Sequence, residues 1–119
     1  MFSVNGYTIT LSRGDTGAIK IKAYTQHTFD SIDRALFSIK NATGEIVKQQ
    51  VVPLDEEKSF TVAFYNTDTD NLSAGTYSWD VRYIIHPYYD SAGNIVNGNQ
   101  VLTPKGPMTM QLLQVVGEV

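Results

Sequence analysis

The chain has 119 residues, nine of them basic and twelve acidic for a formal charge of −3, and it contains no cysteine. That length suits one domain over residues 1–119, able to bury roughly 65% of its unfolded surface and to fold without covalent staples. The lack of cysteine excludes disulfides, a thiol nucleophile and any Cys-ligated zinc or iron–sulfur site. The Lys and Arg residues are scattered, which argues against a nucleic-acid backbone or an anionic membrane as partner. No apolar run has the length of a bilayer span. Residues 1–7 lack the charged start and apolar stretch of a signal peptide, so the expectation is a protein made in a cytoplasm, which leaves it, if at all, by a route such as release inside an assembled particle.

Residues 7–11 alternate, with Tyr7, Ile9 and Leu11 expected on one face, and Arg13, Gly14 and Asp15 lie in a Gly- and Asp-rich turn. Residues 18–24 alternate again, placing Ile19, Ile21 and Ala23 together. Residues 33–40 do the same with Ala35, Phe37 and Ile39, and residues 45–52 return as a weaker strand. Lys48, Gln49, Gln50 and the closing Pro53 suit an edge position. Residues 58–64 set Phe60, Val62 and Phe64 on one face. The polar tract 66–71 suits a capped helical turn.

The strongest pattern follows. After Gly75, the residues Tyr77, Trp79, Val81, Tyr83 and Ile85 share one face, while Ser78, Asp80 and Arg82 take the other. A long strand, buried on one side and wet on the other, has this period of two. Residues 87–98 read as a hairpin region, with turn signals at 90–93 and 97–99. Residues 104–107 break the chain. Residues 108–116 form a last strand, with Met108, Met110 and Leu112 on one face and Leu113 and Val115 on the other, so that its end is expected to be buried on both sides. No stretch of twelve residues has a helical period. The turn spacing suits a sandwich or small barrel, and the expectation is an all-β, antiparallel Ig-like β-sandwich of about seven to eight strands, with one or two short helical turns.

Each candidate site has a structural alternative. Tyr77, two residues after Gly75 at a strand start, is placed as in an Ig-like sandwich whose Tyr hydroxyl bonds back to the preceding loop. A plain core Tyr is the alternative. Trp79 belongs to the same buried face. Arg13-Gly14-Asp15 spells an integrin-binding tripeptide but is expected to be a turn, with Gly14 at positive φ and Asp15 bonding backbone amides. Residues 66–71 carry oxygen ligands at alternate positions, yet Asn71 stands where a calcium loop needs Gly, and Tyr77 where it needs Glu. Asp55, Glu56 and Glu57 are paired carboxylates in an exposed tract. His27 and His86 have neither a serine elbow nor an H-E-x-x-H partner. Asn41-Ala-Thr43 and Asn71-Leu-Ser73 match a glycosylation sequon that carries little meaning without secretion. The expectation is therefore no catalytic residue, no metal and no cofactor. Pro87, Tyr88 and Tyr89 are the candidate interaction loop. Adjacent tyrosines beside Pro at a strand end cannot both enter one core face. They anchor a protein interface, stack on a sugar, or close the end of the sandwich as a lid.

The order of features resembles a known group. Residues 7–11 precede Arg13-Gly14-Asp15-Thr16 and the Ile19/Ile21 strand. Ala35-Leu36-Phe37-Ser38-Ile39-Lys40 precedes Phe60-Thr61-Val62. Then come Asp68-Thr69, Leu72, Gly75-Thr76-Tyr77 and Asp80-Val81, followed by Gly93-Asn94-Ile95-Val96. Over residues 7–116 this resembles the N-terminal β-sandwich domain of phage baseplate upper proteins and related small tail-region proteins of phages of Gram-positive hosts, departing from it in residues 87–107. The resemblance implies a non-enzymatic virion module that docks on other copies of itself or on other phage structural proteins, in closed symmetry. An Ig-like carbohydrate- or surface-binding module, with Tyr88, Tyr89 and Trp79 on one sandwich, is the alternative. The two differ in what they bind, a protein assembly or a glycan.

Overall fold

The computed structural model describes residues 2–23, 28–54, 57–102 (backbone alone over 99–102) and 108–114. They form nine strands and one helical turn: β1 (Phe2–Asn5), β2 (Thr8–Ser12), β3 (Gly17–Lys22), β4 (Arg34–Lys40), β5 (Ile46–Pro53), β6 (Ser59–Phe64), α1 (Asn66–Thr69), β7 (Gly75–Tyr89), β8 (Ile95–Leu102) and β9 (Met108–Leu113). Seven strands make an open sheet in the order β1-β2-β9-β7-β4-β5, with β8 also paired to β7, while β3 and β6 make a second sheet of two strands.

The large sheet is mixed. β2 and β9 run parallel, Ile9 opposite Met110 and Leu11 opposite Leu112. The expectation of a wholly antiparallel arrangement is corrected here, because alternation reports which face a side chain takes and carries no information on the direction of a neighbouring strand. β9 is an interior strand, flanked by β2 and β7. Leu113 is exposed, so β9 is not buried on both faces there, and Val115 lies outside the described residues.

The inner face of the large sheet has the composition that alternation assigned to it. Tyr77, Trp79, Val81, Tyr83 and Ile85 are all buried, as are Ala35, Phe37 and Ile39 on the neighbouring β4. Their registers agree, Phe37 lying opposite Val81 and Ile39 opposite Trp79. The two-stranded sheet covers this face with Ile19, Phe60, Val62 and Phe64, joined to the large sheet in one apolar cluster. Ring contacts seal it. Phe37 meets Phe64 edge-on at 6.1 Å, Phe60 meets Tyr83 at 6.1 Å, and Phe37 lies 5.6 Å from Trp79. Burial in this cluster pushes the Tyr83 phenol above its ordinary pKa. Tyr7 departs from its expected inward position. It sits in the β1–β2 turn, exposed, while Ile9 and Leu11 are fully buried.

Polar groups tie the loops to this core. The Trp79 indole donates to the carbonyls of Tyr7 and Thr109, both at 3.1 Å. The Tyr77 hydroxyl donates to the Ser73 carbonyl at 2.7 Å, across the turn at Gly75, whose φ of 148° suits a residue without Cβ. Tyr77→Phe is expected to cost about 0.5–1.5 kcal/mol, the range for one neutral hydrogen bond, with the fold retained. A urea titration read by tryptophan fluorescence measures it.

The tract 66–71 is the capped turn α1. The Tyr65 N–H donates to Asp68 Oδ2 at 2.7 Å, and Lys48 Nζ sits 3.0 Å from the same oxygen and 5.3 Å from the Phe64 ring centroid. Edge residue Lys48 thus lays its stem over the core and takes its charge to the helical turn. The RGD tripeptide is a turn as well. Gly14 has φ 83°, Asp15 Oδ2 accepts from the Ser12 N–H at 3.3 Å, and the Gly14 N–H donates to the buried Thr69 hydroxyl oxygen at 2.8 Å. Thr69→Val should leave that half-buried N–H without its acceptor, at a cost of about 1 kcal/mol in the same titration.

Candidate functional site

β7 has fifteen residues, more than the strands around it need. β9 pairs with residues 75–79, β4 with residues 78–84, and β8 with residues 83–89. Past Ile84, among the described residues, β7 is paired with β8 alone. The two strands leave the sheet as a hairpin arm closed by a turn at residues 90–94, where the Asp90 carboxylate accepts from the N–H groups of Ala92 and Asn94, both at 2.9 Å. The radius of gyration is 15.1 Å, above the roughly 13.5 Å of a compact chain of this length.

Pro87, Tyr88 and Tyr89 lie on this arm, in strand rather than in a loop. The expected loop is corrected because Pro87 is opposite Gly98 at a position where β7 has left β4, and a proline is tolerated in a strand with a free side. The second turn signal, Asn97-Gly98, likewise lies inside β8, so the arm has one turn where two were expected. Tyr88 and Tyr89 are 54% and 49% exposed, with Val96 on the facing strand at 61%. Neither tyrosine closes the end of the core. A bulge between Tyr88 and Tyr89, where the partner of Tyr89 is Ile95, interrupts the pairing and resets which face each following side chain takes.

The arm is fixed at its root by residues that the alternation pattern did not single out. His86 has φ 50°, a conformation costing about 1–2 kcal/mol in a residue with a Cβ. Its N–H is turned out of the ladder and donates to Asp33 Oδ1 at 2.9 Å, while Asp33 Oδ2 accepts from the Asp30 N–H at 2.7 Å. Asp33 is 1% exposed. The His86 ring completes the latch, with Nε2 3.1 Å from Asp30 Oδ2. That pair is solvent-facing and adds little to stability. The Asp30–Asp33 spacing, an Asp bonding the backbone three residues back just ahead of a strand, was the available sequence signal.

The other candidates are dispersed. Trp79 is in the core, too buried to join Tyr88 and Tyr89 in a stacking platform. Gly14 and Asp15 are engaged in their turn, and Gly75 and Tyr77 in theirs. Glu57 is exposed, while Asp55, Glu56 and His27 lie outside the described residues. Among the described residues, no three His, Asp or Glu side chains converge as a metal site, and no helix is long and apolar enough to cross a membrane. Asn41 Oδ1 accepts from the Thr43 and Glu45 N–H groups at 3.1 and 2.9 Å, shaping the β4–β5 turn.

No protein-family model matches this chain, and no curated protein matches it either.

Proposed function

We propose that this chain is a non-enzymatic structural module of a phage or prophage tail or baseplate, and that it works by protein–protein contacts made through the β7–β8 arm. The observation that carries this reading is the exposure of Tyr88, Tyr89 and Val96 on one hairpin that has left the sheet. Tyrosine brings a large amphipathic surface at the entropy cost of two side-chain torsions, which makes it a favoured anchor in interfaces. The arm is also poor in charge, with Asp90 and His86 its only titratable groups apart from the tyrosines. Its contacts are therefore apolar and hydrogen-bonded, as in a permanent assembly made of identical or neighbouring subunits. The order of motifs along residues 7–96 supplies the phage assignment, with the virion as location and no cofactor or metal.

The fold reading that goes with it is an Ig-like β-sandwich. It is supported by the Tyr77-to-Ser73 bond, which sits where an Ig domain has its tyrosine corner, with Trp79 two residues on where antibody domains place a core cysteine. The neighbours β9-β7-β4-β5 correspond in order to strands G, F, C and C′ of a variable-type domain, with the β3–β6 pair as B and E.

Light scattering on the purified chain, alone and mixed with the proteins encoded beside it, tests the function. The expected result is a defined higher-mass species in one of these samples that is lost on Tyr88→Ala/Tyr89→Ala. A monomer throughout, or an assembly indifferent to the double substitution, counts against it. The carbohydrate-binding reading retains the two exposed tyrosines as stacking rings but loses Trp79. A glycan array signal abolished by the same substitutions would favour it instead.

A further inference from the structure

We propose that Asn97 is a site of spontaneous deamidation, and that the arm carries this chemical clock in its own strand. The motif is Asn97-Gly98, and the structure keeps its two reacting groups side by side: the Gly98 N–H donates to Asn97 Oδ1 at 2.8 Å, which places the side-chain carboxamide next to the nitrogen that attacks its Cγ. Proximity of this kind removes much of the entropic part of a ring-closing barrier. Gly98 has no Cβ to shield its nitrogen, and Asn97 is exposed, so water reaches the product ring.

A regular strand would oppose the reaction by fixing the backbone, but the ladder is weak here. Pro87, opposite Gly98, has no N–H to give. The pairing shifts at the bulge immediately beyond the Tyr88–Asn97 pair. Among the described residues, β8 has a strand on one side alone.

The step balances without an oxidant. The Gly98 nitrogen forms a bond to Asn97 Cγ, the Cγ–Nδ2 bond breaks, and Nδ2 leaves as ammonia carrying the former Gly98 amide proton. Water then adds to either carbonyl of the five-membered imide and opens it, giving aspartate or, with the backbone rerouted through the side chain, isoaspartate. The product places a new carboxylate opposite Tyr88 on a hairpin whose only other titratable groups, tyrosines apart, are His86 and Asp90.

The chain contains its own comparison. Asn5-Gly6 is the same dipeptide, with Asn5 opposite Thr8 across a two-residue turn, and among the described residues the side-chain contact made at Asn97 is not made there. The folded protein, incubated in mildly alkaline buffer and mapped by peptide mass spectrometry with isoaspartate-specific methyl transfer as a second readout, should gain acid at Asn97 several-fold faster than at Asn5. Gly98→Ala should slow the reaction at position 97 several-fold and leave position 5 unchanged. An Asn97 that stays amidated, or one that converts no faster than Asn5, overturns the proposal.

Discussion

Phe37→Ala is expected to remove about 3–5 kcal/mol of stability, the range for emptying a large aromatic site in a closed core. Phe37 is fully buried on β4 and touches both sheets, with its ring against Phe64 of the small sheet and Trp79 of the large one. Neither sheet can collapse into the space without breaking its own register, so the cavity persists and its cost adds to the lost transfer energy. A domain of this size holds about 5–15 kcal/mol in all, so the variant should unfold at a much lower urea concentration with an unchanged slope. A loss below about 1 kcal/mol would mean that the two sheets do not share the core described.

Asp33→Ala is expected to be nearly as damaging, and its effect should be concentrated at the arm. The buried carboxyl group accepts two backbone N–H groups, from Asp30 and from His86. Its removal leaves both donors without their acceptor, at about 1–3 kcal/mol each. His86 then loses the bond that compensates its left-handed backbone. The His86 amide should exchange with solvent far faster than in the parent protein, while amides of β4 and the 75–81 part of β7 keep their relative order of protection. Asp33→Asn, which keeps one acceptor oxygen, should fall between the two. Uniform acceleration across β4 and β7 would show that Asp33 supports the whole sheet and does not act as a latch on the arm.

Much of this fold was legible because inner-face residues are apolar and most of their outer neighbours are polar. The segment from Tyr77 to Tyr83 is the clearest case; beyond it Ile84, on the other face, is buried as well, which the alternation did not predict. The tract before Leu72 was readable as a capped turn from its run of polar residues 66–71, while the bond that caps it, from the Tyr65 N–H to Asp68 three residues on, came from the structure. Three features were not legible. β1 alternates over Phe2-Ser3-Val4-Asn5, but for four residues alone, and with Val4 exposed the pattern marks no buried face; among the described residues its ring contact is Phe2 against Phe64. The parallel contact of β2 with β9 joins residues about as far apart as the chain allows, and no local pattern encodes it. The arm was misjudged at both of its punctuation marks. Pro87 and Asn97-Gly98 ordinarily end strands, and here each is accommodated because the hairpin has neighbours on fewer sides than a central strand has. The tyrosine pair was found by elimination, since two adjacent side chains cannot share one buried face, whereas Asp33 needed the three-dimensional view.

The contact role of the arm is the claim on which the rest depends. Hydrogen exchange resolved by residue, comparing the chain in its assembled form with the Tyr88→Ala/Tyr89→Ala monomer, tests it most directly. The predicted result is added protection over residues 85–98, with the outer edges of β5 and β1 exchanging as before. Protection gained along β5 or β1, with the arm unchanged, would contradict the account and assign the interface to the open edges of the large sheet.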